Sequence, residues 1–576
     1  MKNNLFEIVI FSTCFYALCW YFDYRHIYTL APQGQHAWRQ TDGASQALNY
    51  YQFGLNFFKP EVHNVVVDSG QSAAEFPILY YISALMMSLL GAETGVMRAV
   101  HLAFYGVGLW YLFKILRGVS SHGQWVMGNG QSVMGNGQSV MGNRQSVMGN
   151  GQLEMGNRLW EMGSFVFALG GSLMFFCLPV VVFYAFNFLP NAPALGLIFI
   201  SWWCFYRFIQ EKKSIFLVKT MIWTALAAMI KPTMLISFFV IGGVWLFDLI
   251  KNYYNKSFEL KDKTSVFNHP LKEVWTFFIV IIPFIAWRIW ANAHSHPELF
   301  LNKPLPIWEA SKGQNDWTWQ WLNEFWLHKI TFTQPTYFFL ILSIILMLIF
   351  IKKIPTWITL AWILMLLGVL SEGALFFQQF SVHDYYAIDF LILPAFTLII
   401  LGIILKQIVF KLKNNAQILR GQLLSGSVAI VMVLLVISNA RYAKSDLEDR
   451  YIFKDPYLNG ENKALYKTKE LRRFIKSLGI SPQDTVLSIN DPSPNTTLFY
   501  LNLKGFTLWN EKVKICADAQ SKLPDAACID YLIKNKNCKY LIISHLDNKG
   551  AKPYQSFMKP EKLMGIFDGS VYVYKL

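Results

Sequence analysis

The polar segment GQHAWRQTDGAS, residues 34–45, holds the side chains of this sequence that are best suited to acid–base chemistry. It places Arg39 three residues before Asp42, shortly after the first apolar run. A carboxylate at a membrane surface can act as a general base that takes a proton from a hydroxyl or an amine. The simpler interpretation is a helix cap, because Thr41 or Asp42 suits the start of a helix through Ala44–Phe53. Taken alone, the segment favours the cap.

Cationic residues near the predicted membrane surface are candidates for holding a phosphate, whose charge must be matched where water is scarce. Arg39 and Lys231 are in such positions, Lys231 between two apolar runs. Each also has a structural interpretation. Arg39 can form an ion pair with Asp42 or Glu75, and Lys231 can extend its ammonium group to the interface. The sequence leaves both interpretations open.

A further polar group, His383 and Asp384, precedes two tyrosines that begin with Tyr385 at the end of an apolar run. It could contact the phosphate or sugar of a substrate, or it could belong to an interfacial aromatic belt with a polar cap. His294 and His296 form a pair without obvious further ligands, which is more typical of a surface loop than of a metal site. The sequence therefore indicates no certain cofactor, and it leaves a divalent metal open without pointing to one.

The elements that must position these groups are membrane spans. The chain has 576 residues, of which 54% are hydrophobic, 16% aromatic and only 15% charged. Several of its apolar runs are near the ~20 residues that cross a bilayer core of about 30 Å. The net charge of +15 lies mainly in short loops between these runs, where lysine and arginine set the orientation of a membrane protein. This distribution argues against nucleic-acid binding.

The predicted topology has the N-terminus inside the cell and the C-terminus outside. Eleven spans are predicted, at residues 5–23, 96–115, 164–185, 192–209, 214–230, 232–250, 274–292, 335–351, 355–372, 385–405 and 425–440. The run Pro77–Leu90 is short and begins with proline, so we expect it to lie in the membrane interface. Every strongly basic loop then lies inside, and the outer loop 24–95 shares the outer side with the other candidate site residues.

Two segments differ in composition from the spans. Residues 127–163 repeat a unit of seven, from MGNGQSV to MGNRLWE, and the glycines predict a flexible cytoplasmic insertion. Residues 441–576 follow the transmembrane domain, 1–440, and alternate helical and strand-like patterns, which predicts a small extracytoplasmic α/β domain. Its predicted elements are helices at 463–477 and 526–536, strands at 485–489 and 540–544, and a strand pair near 564–574.

The order of these motifs resembles that of membrane glycosyltransferases with the GT-C fold. The closest likeness is to glycosyltransferase family 39, the protein O-mannosyltransferase and aminoarabinose transferase relatives. EFPILYY at Glu75–Tyr81 is similar to the family's EKPPLYY-like motif, and Asp42 matches its acidic position after the first span. LPNAPALGLIF at 189–199, AAMIKPTML at 227–235 and HDYYAIDFLILPAF at 383–396 resemble further elements of the family.

The resemblance, which covers roughly residues 1–405, implies a polytopic helical fold and a site on the outer side. Phe76 stands where the family motif has lysine, and Asn191 where the family often has aspartate. The implied catalytic residues are Asp42 and Glu75. The implied donor-phosphate ligands are Arg39, Lys231 and His383, and the implied substrate-binding residues are Tyr80, Tyr81, Asn191, Asp384 and Tyr385.

The activity implied by the resemblance is transfer of one sugar from a polyprenyl-phosphate donor to an acceptor in the cell envelope. The acceptor would be a lipid, a glycan or a protein on the outer side of the plasma (inner) membrane, and direct displacement would invert the anomeric carbon. The alternative is a transporter or channel for a lipid-linked or small polar substrate, which would place paired charges inside the spans. A third interpretation is a catalytically inactive scaffold protein with the same fold.

Overall fold

The computed structural model describes residues 2–65, 70–73, 75–121, 146–254, 265–267, 269–295, 305–410, 415–452, 463–489, 491, 493–507, 526–544 and 555–576. The described α-helices are Lys2–Tyr21, Tyr24–Tyr28, Ala37–Phe53, Ile78–Leu90, Thr94–Ser120, Ser146–Phe176, Pro179–Ala185, Asn191–Glu211, Ser214–Ile230, Leu235–Tyr254, Pro270–Glu273, Phe278–Ala293, Lys312–Trp321, Gln334–Ile349, Thr356–Leu375, Ile392–Phe410, Asn415–Ile452, Lys463–Tyr466, Thr468–Ser477, Thr496–Leu501 and Ala526–Lys536. One small sheet lies near the C-terminus.

The chain is a multi-pass membrane protein. Within the described residues, seven helices are long and apolar enough to cross a bilayer, and up to nine if two bent pairs are each one span. The seven are Thr94–Ser120, Asn191–Glu211, Pro232–Tyr254, Pro270–Ala293, Thr356–Leu375, Asp384–Val409 and Gly426–Tyr451. The other two of the eleven predicted spans are the shorter apolar helices Leu5–Tyr21 and Ser214–Ile230.

One predicted span is bent where the sequence analysis expected a continuous segment. The span predicted at 164–185 breaks into Trp160–Phe176 and Pro179–Ala185, which meet at 73°. Proline at the start of the second helix supplies no N–H to the preceding turn, so the helical hydrogen-bond ladder ends there. In the other bent pair, Lys312–Ile330 meets Gln334–Ile349 at 100°, and the span predicted at 335–351 corresponds to the second helix alone.

The helix Ile78–Leu90 is too short to cross a bilayer core. Its 13 residues rise about 1.5 Å each, against a core of about 30 Å.

The repeat at 127–163 differs in part from the flexible insertion that the sequence analysis predicted. Residues 122–145 lie outside the described part, but 146–163 begin the helix Ser146–Phe176, so the prediction of a flexible insertion is wrong there. In these last units Arg158 replaces one glycine, and Leu, Glu and Trp replace glutamine, serine and valine of the repeat, which lowers the cost of a helix.

The C-terminal sheet contains the predicted strands and one more. Strands β1 (Thr485–Ile489), β2 (Lys504–Thr507), β3 (Cys538–Ile543), β4 (Leu563–Phe567) and β5 (Val571–Lys575) lie in the order β2-β1-β3-β5-β4. Strand β1 is parallel to β2 and β3, whereas β5 is antiparallel to β3 and β4. Strand β2 and the helix Thr496–Leu501 were not predicted, because each is short and both follow the turn-rich stretch NDPSPN.

The C-terminal part shares a hydrophobic core with the segment 24–95. Ala44 and Tyr50 of the helix Ala37–Phe53 belong to the same buried cluster as Leu498, Phe499 and other side chains of the C-terminal part. Main-chain pairing between Asn64 and Gly505 extends the contact to the edge of the sheet. The helix that carries Asp42 is therefore held between the membrane part and the C-terminal part.

Candidate functional site

A polar cavity of about 250 Å³ opens where the helix Ala37–Phe53 meets the ends of several membrane helices. Its lining includes seven of the ten predicted site residues: Arg39, Asp42, Glu75, Asn191, Lys231, His383 and Tyr385. The fold thus brings together residues from five separate segments of the chain. Trp38, Gln46, Thr233, Arg288 and Gln379 also line the cavity, and the sequence analysis did not single them out.

Asp42 lies inside a helix and not at its start. The helix begins at Ala37, after His36 in a left-handed conformation with φ 55°, so the interpretation of Asp42 as a helix cap is wrong. The residue is 7% exposed. Burial raises the pKa of Asp42 to about 7, although the Arg39 guanidinium favours the charged form. A carboxylate with such a pKa can accept a proton near neutral pH.

Gly43 allows the helix to lie close to its neighbours. A β-carbon at this position would be 2.8 Å from the carbonyl oxygen of Phe188 and 2.9 Å from the ring of Tyr80. Both contacts are closer than ordinary van der Waals packing permits. The small residue after Asp42 therefore sets how deeply the helix enters the site.

Arg39 joins the two predicted catalytic carboxylates. Its guanidinium lies 3.4 Å from Asp42 and forms an ion pair with Glu75. Tyr80 donates its hydroxyl to the other oxygen of Glu75. The ion pair considered in the sequence analysis is thus present in the structure. It leaves the guanidinium matched by two carboxylates before any substrate arrives.

Lys231 is held at the cavity floor by a carboxylate that the sequence analysis missed. Its ammonium lies 3.4 Å from Asp389 and 3.9 Å from the ring centre of Tyr386. Asp389 also accepts hydrogen bonds from Asn191 at 3.0 Å and Thr233 at 2.9 Å. The sequence did hold a sign of Asp389: it is the one carboxylate in the apolar run AIDFLILPAF. A charge in an apolar segment marks a functional position.

Arg288 is a cavity cation that the sequence analysis also missed. It forms no ion pair or hydrogen bond with the residues that the structure describes. Like Asp389, Arg288 could have been found in the sequence as a lone charge, because it is the one arginine inside the apolar run FIVIIPFIAWRIWANA. Arg39 and Lys231 already face carboxylates, so Arg288 is the cavity cation whose charge is least matched within the described chain.

His383 lines the cavity in its neutral form. Burial lowers its pKa to about 3, and the nearby Arg39 and Lys231 act in the same direction. The ring stacks against Tyr385 with 5.2 Å between centroids. Its Nδ1 atom is buried without a hydrogen-bond partner among the described residues. His383 can therefore offer a hydrogen bond, but no positive charge, to a ligand.

Three predicted substrate-binding residues lie outside the cavity lining. Asp384 is buried behind it, where it forms ion pairs with Arg450 at 2.7 Å and His36 at 3.0 Å. Its carboxylate is thus occupied by protein partners, which corrects the expectation that it faces a substrate. Tyr80 supports Glu75. Tyr81 donates to the carbonyl oxygen of Leu55 at 3.3 Å.

The structure describes one histidine of the HSHP motif. The Nδ1 atom of His294 lies 2.8 Å from the carbonyl oxygen of Trp290, and its ring stacks on the indole. His296 lies outside the described residues. Among the residues that are described, no group of three or more His, Cys, Asp and Glu side chains could hold a metal ion.

Comparison with solved structures gives the fold of the chain. The crystal structure of ArnT from Cupriavidus metallidurans in the apo state aligns over 100% of this chain and 98% of that chain, with a TM-score of 0.53 and 11% identity. The chain has the GT-C fold. ArnT from the same organism bound to undecaprenyl phosphate aligns over 99% of this chain and 97% of that chain, with a TM-score of 0.52 and 10% identity. No family model and no curated protein matches the sequence.

Proposed function

We propose that this chain is a membrane glycosyltransferase that moves one sugar from a polyprenyl-phosphate donor to an acceptor hydroxyl or amine. The acceptor is a glycolipid, a glycan or a protein on the extracytoplasmic side of the plasma membrane. The GT-C fold is compatible with this reaction, and one similar structure, ArnT from Cupriavidus metallidurans, holds undecaprenyl phosphate. The fold alone does not assign the reaction, so the proposal depends on the chemistry of the cavity.

The observation that carries the proposal is the combination of a general base and an unmatched cation in one cavity. Asp42 has a pKa raised to about 7 by burial. Arg288 lines the same cavity and has no partner among the described residues. A sugar-phosphate donor requires both groups, because its acceptor must lose a proton while its leaving phosphate gains charge. Neither group alone would favour a transferase over a binding protein.

The proposed reaction is a single displacement. Asp42 takes the proton of the acceptor hydroxyl or amine as that atom attacks the anomeric carbon. The new glycosidic bond forms while the bond between the anomeric carbon and the phosphate oxygen breaks, and the electron pair leaves with the lipid phosphate. Arg288 and Lys231 stabilise that phosphate. Attack opposite the leaving group inverts the anomeric configuration.

Glu75 and Arg39 have a supporting role in this proposal. Glu75 pairs with Arg39 and accepts a hydrogen bond from Tyr80. This network keeps the guanidinium 3.4 Å from Asp42, where it favours the ionised carboxylate that acts as base. Neutral His383 adds a hydrogen-bonding group to the same cavity.

The alternative function, a transporter or channel, would use charges buried inside the spans to form a polar path across the bilayer. Glu372 and Asp389 are buried in candidate spans, so those spans carry more charge than the sequence analysis expected. Both residues lie near the helix ends that adjoin the cavity, since Phe376 and Tyr385 line it. This position favours a role in the cavity over a polar path across the bilayer.

Deletion of the protein from its cells tests the proposal. We expect one glycosylated product to disappear and a polyprenyl-phosphate sugar to accumulate, both measured by mass spectrometry of the cell envelope. Wild-type protein and an Asp484→Asn control restore the product, because Asp484 pairs with Lys539 and does not line the cavity. Asp42→Asn does not restore it at equal expression. Restoration by Asp42→Asn would contradict the proposal.

A further inference from the structure

Gln46 lines the cavity one helical turn beyond Asp42. The two residues are four positions apart on the helix Ala37–Phe53 and both border the cavity, as expected for side chains on one face of a helix. Gln46 is 4% exposed. Its side-chain nitrogen donates a hydrogen bond to the carbonyl oxygen of Ser72 at 3.0 Å. Because only the nitrogen of an amide can donate, this bond fixes which way the amide faces.

The side-chain oxygen of Gln46 has no hydrogen-bond partner among the described residues. A buried acceptor without a partner is unfavourable, so its presence in the lining of a cavity indicates a place for a hydrogen-bond donor. An amide oxygen only accepts hydrogen bonds, and it carries no formal charge. Its partner must therefore carry an O–H or N–H group, which the charged oxygens of a phosphate diester lack.

Gln46 belongs to a wall that connects the proposed base to the proposed phosphate ligand. It binds the carbonyl oxygen of Ser72, and the next residue, Ala73, shares a buried cluster with Trp287. Trp287 directly precedes Arg288 in the chain. The contacts thus run from the helix of the base to the helix of the cation. The residues of this wall that line the cavity are, in order, Asp42, Gln46, Ser72 and Arg288.

We propose that Gln46 binds a hydroxyl or N–H group of the transferred sugar and is a specificity-determining residue of the cavity. This inference rests on the proposed function, in which the acceptor lies at Asp42 and the phosphate at Arg288. The sugar must lie between these two groups, because its anomeric carbon joins the attacking atom to the leaving oxygen. Gln46 occupies that part of the wall. Its oxygen distinguishes a lipid phosphate that carries a sugar from the bare lipid phosphate that remains after transfer.

The test compares binding of a lipid phosphate with and without a sugar. The probes are undecaprenyl phosphate and a set of undecaprenyl-phosphate hexoses and pentoses, each titrated against the purified full-length protein by native mass spectrometry. The sugar preference is the Kd of undecaprenyl phosphate divided by the Kd of the sugar probe that the wild type binds most tightly. This ratio should be well above one for the wild type. In Gln46→Ala it should fall about 3- to 10-fold, the size expected for one hydrogen bond between neutral groups.

Two further variants separate contact with the sugar from support of the wall. Gln46→Met is similar in length but has no amide oxygen, so its ratio should also fall, and it covers the case in which Gln46→Ala does not fold. Gln46→Glu keeps an acceptor oxygen, but an ionised carboxylate cannot donate to Ser72. Its charge repels both probes, and the more highly charged bare phosphate at least as strongly. The ratio for Gln46→Glu should therefore stay at or above that of the wild type.

Asn49→Ala is the matched control on the same helix. Asn49 is also buried, and its side-chain nitrogen donates to the carbonyl oxygen of Glu61 at 2.9 Å. Its side-chain oxygen likewise has no partner among the residues that the structure describes. Asn49 does not line the cavity, so Asn49→Ala should keep the wild-type sugar preference.

The possible results separate this inference from the proposed function. An unchanged ratio in a folded Gln46→Ala or Gln46→Met protein overturns the role of Gln46, and so does a wild type that binds no sugar probe more tightly than undecaprenyl phosphate. An equal fall in Gln46→Glu or in Asn49→Ala also overturns it, because the effect would then come from packing of the wall or the helix. If the ratios change as expected but the wild type transfers no sugar, the proposed function fails and the sugar contact stands.

Discussion

The chemistry proposed for the cavity depends on a single residue, Asp42, and on the groups around its carboxylate. Its residue type and its place after the first apolar run made it a candidate base. Its pKa of about 7 comes first from burial, to which segments far away in the chain contribute, and the carboxylate of Glu75 acts in the same direction. No local pattern in the sequence could have predicted this burial.

The cations of the site illustrate the same limit. Arg39 and Lys231 were predictable from their positions beside apolar runs, yet in the structure each already faces a carboxylate. Arg288 was hidden within an apolar run and has no partner among the described residues. The distinction between a matched and an unmatched cation appears only when the segments are brought together.

Substitution of Arg288 should weaken binding of a lipid phosphate. In Arg288→Ala we expect the Kd of undecaprenyl phosphate to rise about 10- to 100-fold, because a hydrogen bond to a charged group contributes about 1.5–3 kcal/mol. Arg288→Lys should lie between wild type and alanine, since it keeps the charge but loses the planar fork. Binding can be measured by native mass spectrometry or isothermal titration calorimetry.

A matched control for this prediction is Arg473→Ala. Arg473 is an exposed arginine on the helix Thr468–Ser477, and it does not line the cavity. It should retain the wild-type Kd. Equal affinities for wild type and Arg288→Ala would show that the donor phosphate is held elsewhere.

At the scale of elements, the helix Ala37–Phe53 sets the geometry of the cavity. It packs against Ile78–Leu90 and against the C-terminal part through a shared core, and Gly43 permits the close approach to Phe188. The apolar runs predicted most helices because length and hydrophobicity suffice for a span. The helix start at Ala37 was missed, because its first turns are polar and face the site.

Gly43→Ala should destabilise this packing. The added β-carbon would meet the Phe188 carbonyl oxygen at 2.8 Å, and overpacking of this kind costs about 1–3 kcal/mol. We expect a lower Tm in a thermal-shift measurement and slower sugar transfer, because the helix must move away from the cavity. Gly313→Ala is the control. Gly313 lies in the helix Lys312–Trp321, and a β-carbon there meets nothing within 4 Å. A wild-type Tm for Gly43→Ala would contradict the account of this contact.

At the scale of the whole molecule, the sequence predicted the class of fold and most elements of the C-terminal part. It could not predict that the two parts share one core. That core depends on side chains such as Tyr50 and Phe499, whose burial requires the complete fold. The chain uses the C-terminal part to hold the helix Ala37–Phe53 in place, and the bond between Tyr500 and the carbonyl oxygen of Pro32 is a further tie.

The rate of sugar transfer by purified protein, measured against pH for wild type and Asp42→Asn, tests the central claim most directly. Asp42 must be ionised to accept a proton, so wild-type kcat/KM should be low in acid and rise with pH through a midpoint near 7, the pKa of Asp42. Asp42→Asn should lose this rise and fall about 10²- to 10⁴-fold below wild type, the usual contribution of a general base. A folded Asp42→Asn protein that kept the wild-type rate and pH dependence would contradict the account.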